Sequence, residues 1–416
     1  MRVLVLDGNE NQAVACVRSL AHAGHQVRVG ASTGWSKAGW SRDCSGTFRY
    51  PAPERGIEAF VKCIVEEVQQ NAAALVLPMT ERTTLPLSVR RELIVAAGGC
   101  MVLPPHETVV RAFDKMETTR LAQSLGIAVP ETTLIVDDSH ACELAHSVRY
   151  PVVLKPRSSE EISPTGAIAP TGRSLYARDE EQFMAGYRGL RSRGSYVLTQ
   201  QFVEGVGNGY FALMRHGTRL AEFGHRRIRD VHPTGSGSSV RVSVKPDPKI
   251  RDAGLAILQA LNWHGVAMVE FRVRSDGTPV FMEVNGRFWV SLALAVYAGM
   301  DFPSLLARMA EGDLDASPDY RVGVRCRWLL GDLRHLIEVW RGAPVGYPGK
   351  FPGRLATLAS VLIPVPGTFH DNFSWRDPLP ELGDWLDFGF RRLPRQVAAS
   401  LVTRKEKSAQ RRYAHT

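Results

Sequence analysis

Two glutamates in the second half of the chain have the spacing of a carboxylate pair that could hold a cation. In the stretch AMVEFRVRSDGTPVFMEVNGRF, the pair Asp276-Gly277 predicts a two-residue hairpin loop, because both positions tolerate positive φ. That loop places Glu270 directly opposite Glu283, and Asn285 projects from the same face. Opposed carboxylates among apolar neighbours repel each other unless a cation lies between them. The pattern therefore favours an oxygen-ligand site for Mg²⁺, with Mn²⁺ as an alternative, over a solvated hairpin face.

Basic side chains and two glycine-bearing segments could bind phosphate. Lys155 ends the apolar strand VVLK, where a lysine either extends to the surface or meets an anion. Lys115 follows an aspartate near a helix start, and a surface ion pair would also explain it. The segments 157–172 and 232–239 are rich in Gly, Ser and Thr, which suits either a phosphate-binding nest or a flexible loop. Arg227 adds positive charge near the second segment, or lies on a solvated basic strand. Each of these features, taken singly, leaves both readings open.

The apolar pattern predicts the framework that would position these residues. The run RVLVL, a helix and a second strand form a β-loop-α-β opening of the kind that builds a parallel sheet. The loop after Gly8 lacks the G-x-G-x-x-G pattern, which argues against a dinucleotide site. Thr80 and Glu81 follow the strand AALVLP, where open α/β sheets bind ligands, and a helix N-cap is the alternative reading. We also expect a short strand at 100–103.

The order of these motifs resembles the ATP-grasp superfamily over roughly residues 1 to 310. Asp-Lys at 114–115 precedes VVLKP, LTQQFVEG, VEF and MEVNGRF. The chain looks most similar to carboxylate–amine ligases and to the ATP-binding domains of carbamoyl-phosphate synthetase. The resemblance implies an α/β plus α+β fold, in which a Rossmann-like pre-ATP-grasp domain precedes a two-subdomain ATP-grasp fold and a C-terminal extension. The implied boundaries are 1–110 for the first domain, 111–311 for the ATP-grasp domain (subdomains about 111–195 and 196–311), 312–390 for the C-terminal extension or cap, and 391–416 for a basic tail.

The resemblance also implies a nucleotide site and a metal site. The ATP contacts would come from two lysines, a hinge strand between subdomains and a basic strand, namely Lys115, Lys155, Gln200, Gln201, Phe202, Val203, Glu204 and Arg227. Glu270, Glu283 and Asn285 would hold two Mg²⁺ ions, with Glu283 bridging them. Many relatives carry Glu where Gln200 stands here.

Two further sets of residues complete the implied active site. Arg287 and Lys155 would be catalytic, with Arg287 steadying the transferred phosphoryl group, although the residue before it is glycine rather than the usual proline. Ser238 and Ser239 would lie between the nucleotide and the acceptor. Together with Thr80 and Glu81 they are the candidates for substrate contact.

The implied function is an ATP-dependent ligase that joins a carboxylate to an amine through an acyl phosphate, releasing ADP and phosphate. The partners would be small-molecule carboxylates and amines. One alternative is an ATP-grasp enzyme that phosphorylates a hydroxyl or forms a carboxyphosphate-type intermediate. A non-enzymatic alternative is a nucleotide-binding sensor or scaffold.

Composition restricts the classes of partner. The 416 residues are 44% hydrophobic and 22% charged, which suits a folded protein of two or three domains. The net charge of +9 is concentrated at the end of the chain, because residues 391–416 hold eight basic residues and one acidic residue. The tail could contact an anionic membrane surface or remain solvated. No nucleic-acid motif accompanies it, so we predict no nucleic-acid partner. The sequence leaves the oligomeric state open.

Cysteine usage and hydropathy indicate the compartment. Six scattered cysteines without metal or disulfide spacing predict reduced, mostly buried thiols in a cytoplasmic protein, with the tail able to reach the inner face of a membrane. We expect no signal peptide, because the first apolar run meets Asp7 at once, and no spanning helix.

Overall fold

The computed structural model describes residues 1–71, 74–163, 166–313 and 319–392. The basic tail lies outside the described residues from 393 onward. The helices are α1 (Asn11–His22), α2 (Ile57–Gln70), α3 (Glu81–Val89), α4 (Arg91–Ala96), α5 (His106–Phe113), α6 (Lys115–Ser124), α7 (Asp138–Ser147), α8 (Glu180–Arg191), α9 (Pro248–Ala260), α10 (Leu292–Ala298), α11 (Phe302–Glu311), α12 (Leu329–Arg341), α13 (Arg354–Leu362) and α14 (Leu379–Asp387). The strands are β1 (Arg2–Val5), β2 (Gln26–Ala31), β3 (Gly46–Arg49), β4 (Leu75–Leu77), β5 (Thr132–Ile135), β6 (Val152–Pro156), β7 (Glu160–Ile162), β8 (Ile168–Pro170), β9 (Leu175–Ala177), β10 (Val197–Gln201), β11 (Val206–Arg215), β12 (Thr218–His232), β13 (Ser236–Val244), β14 (Gly265–Val273), β15 (Pro279–Asn285), β16 (Arg325–Arg327) and β17 (Thr368–His370).

The first sheet is parallel, with strand order β3-β2-β1-β4. Its central strands are short apolar runs, and β4 is buried along its whole length, as parallel strands covered on both faces require. The strand predicted at 100–103 is wrong, because only a single bridge joins Cys100 to Leu75. The β-loop-α-β opening is confirmed.

A second four-stranded sheet and a seven-stranded sheet follow. One has the order β5-β10-β6-β9, and the other has seven strands in the order β15-β14-β11-β12-β13-β16-β17. Segment 157–172 includes the small hairpin β7–β8, apart from residues 164 and 165, which lie outside the described part. The loop predicted at 232–239 is wrong, because most of this segment belongs to two paired strands. Asp230 of β12 pairs with Ser238 of β13, and His232 pairs with Ser236. Only the turn 233–235 between the two strands lies outside their ladder.

The hairpin of β14 and β15 has the predicted register at its two glutamates. Glu270 pairs with Glu283. The two-residue loop is wrong, because the Arg274 amide donates to the Thr278 carbonyl at 3.0 Å, which leaves three residues in the loop. Gly277 adopts φ 82°, the left-handed conformation that a three-residue hairpin loop uses.

A bulge restores the register that the longer loop would have shifted. Phe271 pairs with Phe281, whereas Glu270 pairs with Glu283, so Met282 is an extra residue on β15. The extra loop residue and the bulge offset each other, so Glu270 still lies opposite Glu283.

The first sheet and the seven-stranded sheet share one hydrophobic cluster. A single cluster contains side chains from α1, β11, β12, α10 and α11, including Val14, Val17, Phe211, Phe223, Leu294 and Phe302. The first sheet and the seven-stranded sheet are therefore joined by core-like packing rather than by a linker alone.

The C-terminal region is built into this body. Strand β16 pairs with β13, and β17 extends the same sheet. Three buried ion pairs connect the region to earlier parts of the chain: Lys37–Asp384 at 2.9 Å, Arg229–Asp332 at 2.6 Å, and Arg241–Asp371. Buried charges are costly unless paired in a fixed geometry, so these pairs fix where the region packs.

The six cysteines are free, as predicted. The expectation that most are buried is wrong, since only Cys16 and Cys326 are buried and Cys100 and Cys142 are exposed.

Candidate functional site

A cavity of about 1020 Å³ lies between the sheet β5-β10-β6-β9 and the seven-stranded sheet. Its size is at the upper end for a small-molecule site. The site residues that the sequence predicted and that line it are Lys115, Lys155, Gln200, Gln201, Phe202, Val203, Arg227, Glu270 and Glu283. These residues come from widely separated parts of the chain, and folding brings them to one space.

The two glutamates differ in their surroundings. Arg227 donates from Nη2 to Glu270 Oε2 at 2.6 Å, so a protein cation neutralises this carboxylate. Burial nevertheless raises the pKa of Glu270, against the effect of Arg227. Burial also opposes ionisation of Glu283, but the charges of Lys115 and Lys155 outweigh it and hold its pKa below the usual value. Glu283 is thus the ionised carboxylate that faces the lysines.

Asn285 and Arg287 extend the carboxylate pair. The Asn285 amide donates to Glu283 Oε1 at 3.4 Å, and its Oδ1 accepts from Arg287 Nη2 at 3.1 Å. The oxygen donors Glu270, Glu283 and Asn285 are of the type that Mg²⁺ prefers. Within the described ranges no cluster of three or more His, Cys, Asp or Glu side chains could hold a metal. The donor set therefore fits Mg²⁺ only as a partial shell, which phosphate oxygens and water would complete.

The two lysines reach the cavity from different elements. Lys155 is on β6, and burial lowers its pKa to about 8, while Glu283 partly opposes this change. Lys115 begins α6, and its Nζ donates to Ser159 Oγ at 3.1 Å. Asp114 caps the helix by accepting from the next amides and pairs with Arg157 at 2.6 Å. Asp114 therefore forms its ion pair with Arg157 and not with Lys115, and the Lys115 side chain lines the cavity.

The hinge strand β10 ends at the cavity. Gln200 is buried, and its Nε2 donates to Thr132 Oγ1 at 3.0 Å, while its Oε1 has no hydrogen-bond partner. Phe202 and Val203 follow the strand and line the cavity. Glu204 is exposed and is outside the cavity lining, so the structure does not bring it to this space.

The predicted substrate residues are divided between two places. The Thr80 hydroxyl donates to Asp7 at 2.9 Å and does not cap α3. Glu81 is close enough to interact with Lys115 and Arg287, although burial still raises its pKa. Ser239 is fully buried.

Ser238 lines a second cavity of about 210 Å³. This space shares His232, Ser236 and Gly237 with the larger cavity, and its other walls include Asn9, Glu10, Asn11, Lys37 and Trp328. The Ser238 hydroxyl has no hydrogen-bond partner although the residue is only 7% exposed. The second cavity therefore lies next to the larger one and has an unused hydroxyl in its wall.

Comparison with known proteins indicates the family. No protein-family model matches the chain. The N-terminal section of the carbamoyl phosphate synthase large chain of Methanopyrus kandleri is 28% identical over 217 residues, which are 50% of this chain and 37% of that protein. Among solved structures, the biotin carboxylase domain of Hydrogenobacter thermophilus 2-oxoglutarate carboxylase, in complex with MgADP, ADP and bicarbonate, has a TM-score of 0.60 at 15% identity and covers 78% of this chain and 73% of that one. The L-amino acid ligase of Bacillus licheniformis has a TM-score of 0.56 at 16% identity and covers 78% of each chain. The chain shares the ATP-grasp fold of these structures.

The chain spans between 22% and 66% of the length of these curated relatives. The structural likeness, at 16% identity or less for the two structures above, concerns the fold. The roles of its side chains are therefore argued from its own geometry.

The cavity has aromatic walls beyond the predicted Phe202, because Tyr176 and Phe351 also line it and Tyr347 packs against these three rings. Tyr176, Phe202 and Tyr347 meet edge to face, with ring centroids 5.0–6.2 Å apart, and Phe351 contacts Tyr347. Arg272 also lines the cavity, and its Nη2 donates to the Gly235 carbonyl at 2.8 Å. The only signal in the sequence was the aromatic content of the Pro/Gly-rich stretch PVGYPGKFPG.

Proposed function

We propose that the protein is an ATP-dependent ligase that joins a carboxylate to an amine through an acyl phosphate. The observation that carries the proposal is the pair Glu270 and Glu283, held in register in one cavity with Lys155 and Lys115. Paired carboxylates next to lysines suit a nucleotide triphosphate and the cations that accompany it. The ATP-grasp relatives support the same chemistry, since one has MgADP in its structure and another is named an amino acid ligase.

In the first step an oxygen of the substrate carboxylate attacks the γ-phosphorus of ATP, and the bond to the ADP oxygen breaks. Lys155 and Lys115 bind phosphate oxygens, and Arg287 stabilises the charge on the transferred group. Glu270, Glu283 and Asn285 would hold Mg²⁺, or Mn²⁺, at up to two ions, which supply charge neutralisation for the phosphates. Gln200 to Val203 and the aromatic walls would enclose the adenine.

In the second step an amine attacks the acyl carbon, inorganic phosphate leaves, and the amine nitrogen loses a proton to solvent. We place the acceptor in the second cavity because the two cavities share the wall formed by His232, Ser236 and Gly237. Glu10 provides a carboxylate for the substrate ammonium, and the Ser238 hydroxyl provides an unused hydrogen-bonding group. The Lys37 ammonium is already neutralised by Asp384. These charges favour a small acceptor that carries an amine.

We test the proposal by incubating the full chain with ATP, Mg²⁺ and pairs of carboxylic acids and amines, and by measuring ADP release and product masses. With a carboxylate labelled by ¹⁸O, an acyl-phosphate route transfers one labelled oxygen to inorganic phosphate. Glu283→Gln should abolish the reaction, whereas Glu143→Gln, an exposed residue on α7, should not change it.

Two results would point to the alternatives. A phosphorylated hydroxyl as product, with ADP but no inorganic phosphate released, would indicate a kinase. ADP release that requires bicarbonate would indicate a carboxyphosphate intermediate, which the bicarbonate complex of the similar biotin carboxylase domain makes worth testing. Nucleotide binding without any ADP release would indicate a sensor.

We further propose that the protein works in the cytoplasm, where its six free cysteines would stay reduced. In the part of the chain that the structure describes, no helix has the length and apolar character needed to cross a membrane.

A further inference from the structure

His232 belongs to the wall that the two cavities share. It is the last residue of β12, and together with Ser236 and Gly237 it lines both the larger and the smaller cavity. Histidine is the side chain best suited to proton transfer at neutral pH, and neither serine nor glycine offers a comparable base. A base is therefore available at the place where a group in one cavity meets a group in the other.

A carboxylate from the C-terminal region holds the ring of His232. The Nδ1 atom of His232 lies 2.7 Å from Glu338 Oε1, near the end of α12, and Glu338 also lines the larger cavity. The two side chains are 23% and 33% exposed, so neither is sealed in the core. A carboxylate at one ring nitrogen keeps the proton on that nitrogen, which leaves the lone pair of Nε2 to act as a base. This His232–Glu338 pair is called the dyad.

Two further contacts between β12 and α12 hold the dyad in place. Asp332 on α12 pairs with Arg229 on β12 at 2.6 Å. His335 on α12 donates from Nδ1 to the carbonyl oxygen of Asp230 on β12 at 2.7 Å. Both contacts join the same two elements as the dyad does, so the helix cannot shift along the strand without breaking them. A base held in this way needs little rearrangement before it accepts a proton.

We propose that His232 is the general base for the amine and that Glu338 positions it, an inference that rests on the proposed ligase function. The amine nitrogen attacks the acyl carbon, and its proton moves to His232 Nε2 as the C–N bond forms. The C–O bond to phosphate then breaks, and phosphate leaves with the electron pair. The imidazolium returns the proton to water, so the amine proton reaches solvent through His232.

Glu10 is the competing candidate for this base, because its carboxylate lies in the wall of the smaller cavity. Among the described residues, Glu10 lines the smaller cavity but not the larger one, where the acyl phosphate forms. A carboxylate next to an ammonium favours the charged form of that ammonium, whereas the neutral imidazole of the dyad can remove its proton. Glu10 therefore suits binding of the substrate ammonium, and His232 suits its deprotonation.

The test separates acyl-phosphate formation from amide formation in the full chain. Amide formation is measured with the acid and amine that give most product with the wild type in the ADP-release assay. Saturating hydroxylamine in place of that amine measures the first step, because this strong nucleophile traps acyl phosphates as hydroxamates without help from a base. His232→Gln should form the amide about 10²-fold more slowly and the hydroxamate at the wild-type rate. Glu338→Gln should slow amide formation by about tenfold and leave hydroxamate formation unchanged.

The matched control is a second histidine–glutamate pair, which lies on the surface. His146 Nδ1 is 2.9 Å from Glu180 Oε2, and the two side chains are 71% and 53% exposed. His146→Gln should form both products at wild-type rates.

Three results would overturn the assignment of His232. The first is amide formation by His232→Gln at the wild-type rate. The second is an equal loss of amide and hydroxamate in His232→Gln, which would mean that the histidine supports binding or folding and not proton transfer. The third is a selective loss of the amide in Glu10→Gln but not in His232→Gln, which would assign the base to Glu10. A wild type that releases no ADP with any pair would instead refute the ligase function, and this proposal with it.

Discussion

Lys155 makes the binding of ATP depend on pH in a predictable direction. Burial lowers its pKa from 10.5 to about 8. In the free protein this lysine is about nine-tenths protonated at pH 7 and about one-tenth protonated at pH 9. A bound triphosphate favours the ammonium and raises the pKa, so binding at high pH must first take up a proton. The contribution of Lys155 to the affinity for ATP is therefore present below pH 8 and is lost as the pH rises above 8.

The expected loss of affinity is about tenfold between pH 7 and pH 9, or about 1.4 kcal/mol. Isothermal titration calorimetry with ATP and Mg²⁺ at the two pH values measures it. The control is Lys155→Arg, which keeps its charge over this range, so its affinity should change much less with pH even if its absolute affinity is lower. If both proteins lose affinity by the same factor, deprotonation of Lys155 is not the cause and its assignment to the phosphates is contradicted.

Three further predictions concern the metal site, the aromatic wall and the buried ion pairs. Glu283→Gln should lower ATP turnover by about 10²–10³-fold, as the loss of a main electrostatic group does, with a circular dichroism spectrum like that of the wild type; turnover near the wild-type rate would contradict the metal assignment. Tyr347→Ala should raise the Kd for ATP by about tenfold, because Tyr176 and Phe202, which line the cavity, each lose an edge-to-face contact that positions them, while Trp375→Ala, at a side chain that is 90% exposed, should leave the Kd unchanged. Asp384→Asn should lower the free energy of unfolding in urea by about 3–5 kcal/mol, since it leaves the Lys37 ammonium buried without an anion; a loss below about 1 kcal/mol would mean that the pair is not needed for stability.

The register of the carboxylate hairpin was predictable even though its loop was not. The sequence signal for the loop was one Asp-Gly pair, which does not distinguish a two-residue from a three-residue turn. The pairing of Glu270 with Glu283 survives because a bulge at Met282 offsets the extra loop residue. Burial explains this outcome, because a one-residue slip would turn the buried Phe271 and Phe281 away from the core.

The segment 232–239 shows why composition was a poor guide to secondary structure. Gly and Ser are frequent in loops, so the stretch HPTGSGSS predicted one. In the fold, Ser236 and Ser238 pair with β12, and residues 240–242 of the same strand pair with β16, so the sheet extends the strand through residues with weak intrinsic preference. β16 comes from the C-terminal region, about 90 residues later, so no local pattern could indicate it.

Large separation in sequence also explains why the contribution of the C-terminal region to the site could not be predicted. Asp384 forms an ion pair with Lys37, which is 347 residues earlier in the chain. From the sequence alone, each of these residues would be predicted to be a solvated surface charge. Trp328 donates to Asp384 at 2.6 Å and also lines the second cavity, so the ion pair that fixes the C-terminal region also fixes a wall of the proposed acceptor space. The residues of the larger cavity that match the ATP-grasp motifs all precede residue 290. It follows that variation in the C-terminal region should change which acceptor is used, while ATP binding would respond mainly through Tyr347 and its neighbours.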